Sequence, residues 1–203
     1  MSRPVSDIAF TPSVKAEQER RGSRAQYEKI EQGRGWQRTV TAELAAILAV
    51  TRSFYLGTAS AAGQPYIQHR GGPPGFLKAI DGQTLAFADL AGNRQYITIG
   101  NLAENPRAFI FVMDYARQRR VKIWGRAHVV ENDDRLLGVL RPDQGHLIAE
   151  RSVLFSVEAW DRNCRQHIPQ LVPIEDAEAA LHSLKQRIAE LEGELQRVRA
   201  PHP

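Results

Sequence analysis

Two runs in this 203-residue sequence combine hydrogen-bond donors with glycine at places where a strand should end. The first is Gln68-His69-Arg70-Gly71-Gly72-Pro73-Pro74-Gly75-Phe76. Glycine lets backbone approach a ligand closely, and proline stiffens the path. Arg70 can grip a phosphate with two parallel N–H groups. The second run is Asp89-Leu90-Ala91-Gly92-Asn93-Arg94-Gln95. Here Asn93, Arg94 and Gln95 supply side-chain donors beside a glycine turn, and such a turn can form a nest for an anion. Each run alone also reads as a rigid loop or an ordinary polar turn. Together, two arginines at strand-to-loop junctions of one small domain point to an anion site.

Two further segments carry reactive side chains. Arg117 to Arg120 enters a strand, where an arginine can face a phosphate or an aromatic ring edge; it also reads as a solvated hairpin tip. Trp160 to Pro169 gathers a tryptophan, two arginines, Cys164 and His167. Cys164 and His167 have the spacing of a nucleophile and base, but no companion acid is identifiable. His167 is better read as a ligand contact, and Cys164 as a small buried side chain. The six histidines are scattered and the one cysteine precludes an internal disulfide, so no metal site is expected.

The elements that must position these groups follow from periodicity. Residues 53–130 read as strands in close succession: 54–59, 66–70, 76–80, 84–88, 108–113 and 121–129, with 153–160 as the last. Asp81-Gly82 is a hairpin turn signal. Ala103 to Pro106 breaks the chain. Residues 133–140 and 146–150 are expected to be helical. Ahead of the strands, Thr41 caps an amphipathic helix over 41–51. Residues 1–40 are polar and form an arm with one short helix or two, starting at Thr11-Pro12. The pattern is that of a mainly β, α+β chain: a barrel with flanking helices over 41–168, an N-terminal helical arm over 1–40, and a linker and helix over 169–203.

That last segment has its own signature. Leu181, Leu184, Ile188, Leu191, Leu195 and Val198 step by three and four, an a/d heptad stripe. A stripe this narrow suits a seam with a second chain better than a broad globular face, although a helix laid on its own barrel has similar needs.

Composition excludes several classes. Hydrophobic residues make up 42% and no apolar run reaches membrane-spanning length, so a membrane protein is not expected. Residues 1–10 lack the apolar core of a secretory signal, which makes the cytoplasm the default location. The net charge of +4 is mild and mixed, so nucleic acid is not an expected partner.

Read in order, the Arg70 loop, Leu85-Ala86-Phe87-Ala88-Asp89, Gly92-Asn93-Arg94-Gln95, Asn101-Leu102-Ala103-Glu104-Asn105-Pro106-Arg107 and Arg119 to Ala127 resemble the pyridoxamine 5'-phosphate oxidase-like flavoproteins. The resemblance covers about residues 40–165 and is closer to an uncharacterised branch than to the oxidase. It implies a split β-barrel that binds flavin mononucleotide (FMN) at the interface of a homodimer. It places the family's Ser-Arg-Lys phosphate grip on Asn93, Arg94 and Gln95, with Gln95 standing where the family has lysine. The strand lying along the flavin falls on Tyr66 to Arg70, including Gln68 and His69, with Gln68 at the family's arginine position. Ala88 and Asp89 border the cofactor, Arg120 stands at the family's glutamine, and Trp160 corresponds to its C-terminal tryptophan. The oxidase's Arg-x-His substrate grip is not reproduced, so oxidation of pyridoxamine phosphate is not implied. The resemblance therefore implies an FMN-dependent oxidoreductase with a small-molecule substrate. The alternatives are a flavin-binding or storage module without turnover, or a related barrel holding F420 or haem, the last with His69 or His167 as axial ligand. No catalytic residue is identifiable.

Overall fold

The computed structural model describes residues 3–33, 35–142, 147–163 and 166–199. Two units of internal contacts are present. One comprises Met1–Met113 with Arg120–Cys164, the other Asp114–Arg119 with Arg165–Pro203.

In the first unit, Thr11 Oγ1 accepts from the Val14 amide at 3.4 Å and starts helix α1, Pro12–Arg20, with proline in its first turn. Gly22, at a φ of +75°, separates α1 from α2, Arg24–Gln32, so the arm contains two helices. A 3-10 turn, Val5–Ile8, precedes them. Thr41 Oγ1 then accepts from the Leu44 amide at 3.3 Å and caps α3, Ala42–Ala49, whose Leu44, Ile47 and Leu48 are buried.

The strands are β1 (Ser53–Ala59), β2 (Pro65–Gly71), β3 (Lys78–Ala79), β4 (Thr84–Leu90), β5 (Arg107–Asp114), β6 (Arg119–Val130) and β7 (Ala149–Asn163). They form one sheet in the order β2-β1-β5-β6-β7-β4-β3. The pairings β1–β2, β1–β5, β3–β4, β4–β7 and β6–β7 are all antiparallel. Strand β2 lies at one end of that order and β4 near the other, yet Arg70 of β2 is ion-paired with Asp89 of β4. The sheet therefore curls on itself, and the gap between its ends is bridged by side chains rather than by a ladder. This is a split barrel. Its core is filled by Phe54, Phe87 and Phe155 with Leu56, Leu85, Ile110 and Ile123, all fully buried. Phe54 meets Phe76 and Phe87 with ring centroids 5.4 and 5.1 Å apart.

Three local expectations give way to tertiary structure. The strand expected at 76–80 shrinks to Lys78–Ala79. The preceding loop folds back, its Gly72 and Gly75 amides donating to the carbonyls of Arg52 and Thr51, and drives Phe76 and Leu77 into the core. The break expected from Ala103 comes later, because helix α4, Ile97–Glu104, runs through Ala103 and covers residues to which the sequence pattern assigns no element. Two isoleucines, a threonine and Gly100 argue against a helix by propensity. Burial of Thr98, Asn101 and Leu102 decides otherwise, with Asn101 Nδ2 donating to Thr58 Oγ1 at 3.0 Å. Residues 149 and 150, expected to be helical, instead begin β7, where Ala149 pairs with Leu90 and Glu150 is the extra residue of a register shift. His146, in the same expected helix, lies outside the described residues. The helix expected at 133–140 is present as α5, Asp134–Leu140.

The arm is fastened to the barrel. Gln37 and Trp160 exchange backbone hydrogen bonds of 3.1 and 2.8 Å, and the Trp160 indole N–H donates to the Thr39 carbonyl at 2.7 Å. Trp36 stacks on Trp124 at 4.5 Å, with Lys122 Nζ 5.3 Å from both ring centroids. The second unit contains helix α6, Ile174–Arg199. Among the described residues, no helix is long and apolar enough to cross a membrane.

Candidate functional site

Strand β2 alternates, so Tyr66, Gln68 and Arg70 share one face while Ile67 and His69 share the other. Across the split, β4 ends on Asp89. The loop that follows turns sharply: Asn93 Oδ1 accepts from the Gln95 amide at 3.2 Å, and Arg94 and Tyr96 adopt left-handed conformations at φ of +59° and +55°. Side chains other than glycine, asparagine and aspartate seldom hold that geometry. The chain thereby reverses into α4.

Helix α4 has no side-chain cap. The first amides of any helix lack intrahelical acceptors, and the helix dipole adds partial positive charge there. Ile97, Thr98 and Ile99 line a hollow together with Gln68, Arg70 and Arg94. The hollow is small, about 60 Å³. That is well below the ~300–1,000 Å³ of sites that enclose a drug-sized ligand. It admits a group the size of a phosphate and leaves a larger ligand outside.

Three residues that line the hollow, Arg70, Asp89 and Glu150, belong to an ion-pair cluster with Arg151. Arg70 Nη1 donates to Asp89 Oδ1, and Arg151 Nη1 stands 3.7 Å from Asp89 Oδ2. Arg151 also contacts Glu150 at 2.8 Å and Glu131 at 3.8 Å. The side chains of Arg70, Asp89 and Arg151 are 12%, 8% and 14% exposed, so these charges interact in a medium less polar than water. The Arg70 guanidinium lies 5.8 Å from the Phe87 ring centroid, and its buried Nε has no hydrogen-bond partner among the described residues. Thr98 Oγ1 donates to Gln68 Oε1 at 2.6 Å, which leaves the Gln68 amide nitrogen available as a donor. Tyr96 packs over Arg151, 5.4 Å from guanidinium carbon to ring centroid.

Six of the residues singled out from sequence thus gather here: Gln68, Arg70, Asp89, Asn93, Arg94 and Gln95. The others lie elsewhere. His69 is on the opposite face of β2, exposed, with its ring 5.7 Å from that of Tyr55. Ala88 points away from Asp89 and packs with Ala86 and Leu140 of α5. Arg120, the second residue of β6, pairs with Asn163; its buried Nε has no hydrogen-bond partner among the described residues, and it does not line the hollow. Trp160 is in the barrel core, and its indole N–H is taken by Thr39. His167 belongs to the second unit, exposed and at a φ of +63°. Cys164 lies outside the described residues.

Tyr66, the first residue of the strand expected along the flavin, also lines the hollow. Sequence reasoning missed Tyr96, Thr98, Glu150 and Arg151. No local signal marked Thr98, because it sits in a helix that propensity disfavours, or Arg151, because it follows a stretch that reads as helix. A wider hollow of about 270 Å³ lies under the N-terminal arm, lined in part by Ser6, Glu31, Trp36 and Arg38. Three of its polar side chains are engaged: Glu31 accepts from Ser6 and from Arg24, and Arg38 donates to the Arg3 carbonyl.

A pyridoxamine 5'-phosphate oxidase family model matches residues 40–164. Among curated proteins no sequence matches. The chain is similar to several solved structures. HupZ of Group A Streptococcus is 17% identical with a TM-score of 0.50, covering 65% of this chain and 98% of its own. An FMN-binding protein from Syntrophomonas wolfei subsp. wolfei is 16% identical with a TM-score of 0.47, covering 77% and 98%. A protein related to general stress protein 26 from Clostridium acetobutylicum is 14% identical with a TM-score of 0.47, covering 66% and 94%.

Proposed function

The chain belongs to the pyridoxamine 5'-phosphate oxidase family, and on that premise we propose that it binds FMN with the phosphate in the hollow at the start of α4. The observation that carries this reading is the coincidence, in one phosphate-sized hollow, of a helix N-terminus without a side-chain cap, Arg94, and Arg70, whose buried Nε has no partner among the described residues. A helix N-terminus with flanking guanidinium groups is suited to a phosphate dianion. The donor set therefore fits the phosphate end of the cofactor. Arg94 and the amides of α4 would hold the phosphate oxygens, with Gln95 in the lysine position of the family. Gln68 and Tyr66 would border the ribityl chain along β2.

The hollow is too small for the flavin ring, so the ring would lie outside it and need a cover. A second copy would supply one. The outer face of β2, β1 and β5 supports pairing, because its register aligns His69, Tyr55 and Phe111 in one row and Ile67, Gly57 and Phe109 in the next. Ile67 is 69% exposed there. When bound, the flavin would supply electron and hydride transfer to a small substrate. The chain's part would be to fix the phosphate, orient the ring and exclude water. A second reading, a flavin carrier without turnover, is favoured by one feature: both carboxylates lining the hollow, Asp89 and Glu150, are ion-paired with arginine.

Titration of the purified protein with FMN and with riboflavin, followed by quenching of flavin fluorescence, tests the phosphate reading. FMN should bind at least tenfold more tightly than riboflavin. Arg94→Ala should weaken FMN by ~10–100-fold, the range for a charged hydrogen bond of ~1.5–3 kcal/mol, and leave riboflavin unchanged. Equal binding of the two flavins, or of neither, would overturn it. Bleaching of the bound flavin by NAD(P)H above the rate of free FMN separates the enzyme from the carrier.

A further inference from the structure

Helix α6 runs for 26 residues and buries none of its side chains. A soluble helix of this length ordinarily owes most of its stability to the packing of one face. Within the helix, the described ion pairs include Arg187 with Glu190 at 2.8 Å, both side chains largely exposed, and Gly193 weakens the helix further. The six large apolar side chains of the heptad stripe are 46–83% exposed. The stripe also extends one heptad upstream: Ile174 is in register at a and Ala177 at d. The a positions are then Ile174, Leu181, Ile188 and Leu195, and the d positions Ala177, Leu184, Leu191 and Val198.

We propose that this face is a parallel, two-stranded coiled coil with α6 of a second copy of the chain. Charge pattern and core composition both support that occupant. In a parallel pair each g side chain faces the e side chain five residues on in its partner. Arg187 then meets Glu192 of the second copy, and Glu194 meets Arg199 of the second copy. By symmetry each attraction occurs twice. The remaining flanking positions, Glu178, Ala180 and Lys185, create no like-charge contact. An antiparallel pair would also match charges, Arg187 with Glu194 and Lys185 with Glu192. Ile174 and Ile188 at a with Leu184 and Leu191 at d are the combination that gives two strands rather than three or four in a parallel coil, and the charge-reversal measurement below separates the two orientations. The pairing stands independently of flavin binding and of any contact between barrels.

Parallel pairing brings identical d positions face to face, within the ~7 Å between Cα atoms that a disulfide requires. The test uses the full chain with Cys164→Ser, adding Leu184→Cys in one variant and Gln186→Cys, on the outward f position, in another. Each is treated with diamide at low protein concentration, and covalent dimer is measured on non-reducing gels. At least tenfold more dimer is expected from Leu184→Cys than from Gln186→Cys, with the difference abolished in guanidinium. Equal cross-linking at the two positions, or none at Leu184→Cys, overturns the proposal. A second pair of measurements reads orientation. Arg187→Glu and Glu192→Arg should each reduce the Leu184→Cys dimer severalfold, and the double variant should restore it. In an antiparallel pair the double variant would keep both repulsions, so failure of restoration also overturns it.

Discussion

Removing the charge of Asp89 should have two opposite effects. Asp89 lines the hollow and is the anion between Arg70 and Arg151, 8% exposed. In Asp89→Asn, Arg151 keeps Glu150 and Glu131. Among the described residues Arg70 keeps neither an ion pair nor a partner for Nε, so the cost falls on Arg70. Asparagine Oδ1 can still accept one neutral hydrogen bond. The expected loss is therefore ~2–3 kcal/mol, below the ~3–5 kcal/mol for breaking a buried pair outright. For a chain of this length that corresponds to a fall in Tm of about 5–10 °C. The same change releases a guanidinium towards the hollow and makes it more positive. Inorganic phosphate should then protect the variant more than the wild type, because a ligand at a hundred times its Kd adds ~2.7 kcal/mol. Thermal melts of both proteins, with phosphate and with a chloride control of equal ionic strength, measure both effects. An unchanged Tm would show that Arg70 does not depend on Asp89. Equal protection of the two proteins by phosphate would show that Arg70 does not face the anion site.

Two predictions concern the frame around the site. A Cβ on Gly125 would lie 2.0 Å from the Ser156 carbonyl oxygen and 2.6 Å from Phe155 Cε1, at the bulge where β6 shifts register on β7. Backbone cannot yield that far, so Gly125→Ala should cost at least ~3 kcal/mol, the upper end of overpacking effects; a urea midpoint close to that of the wild type would refute the bulge geometry. Burial raises the Asp161 carboxyl above its ordinary range, with Lys122 partly offsetting the shift. A raised folded-state value means the folded chain holds this proton more tightly than the unfolded chain. Its contribution to stability is therefore full below the ordinary carboxylate range, near pH ~4, and is lost as pH rises through the folded value. Asp161→Asn should thus gain on the wild type between pH 4 and 7 in denaturant unfolding, and a relative loss over that interval would contradict the assigned cause.

Local pattern accounted for much of the frame. The alternation through Tyr66, Gln68 and Arg70, the cap at Thr41, the Asp81-Gly82 turn and the heptads of α6 each depend on neighbours within a few residues. Those signals survive folding because they are the same in the unfolded chain's covalent order. They also brought Arg70 and Arg94 forward as partners. They did not reveal α4, whose β-branched start is overruled by burial of Thr98, Asn101 and Leu102. Nor did they reveal that Trp160 spends its N–H on Thr39, 121 residues away.

What the sequence alone determined is therefore periodic: which residues share a strand face, where the chain turns, and which helix carries an apolar stripe. What only tertiary structure decided is the meeting of β2 with β4. These strands are far apart in the order of the sheet, and the Arg70–Asp89 pair exists because the sheet curls until its ends approach. That curl comes from the packed interior, with Phe54, Phe87 and Phe155 at its centre. It is a sum over contacts distant in sequence, and no short window of residues contains it.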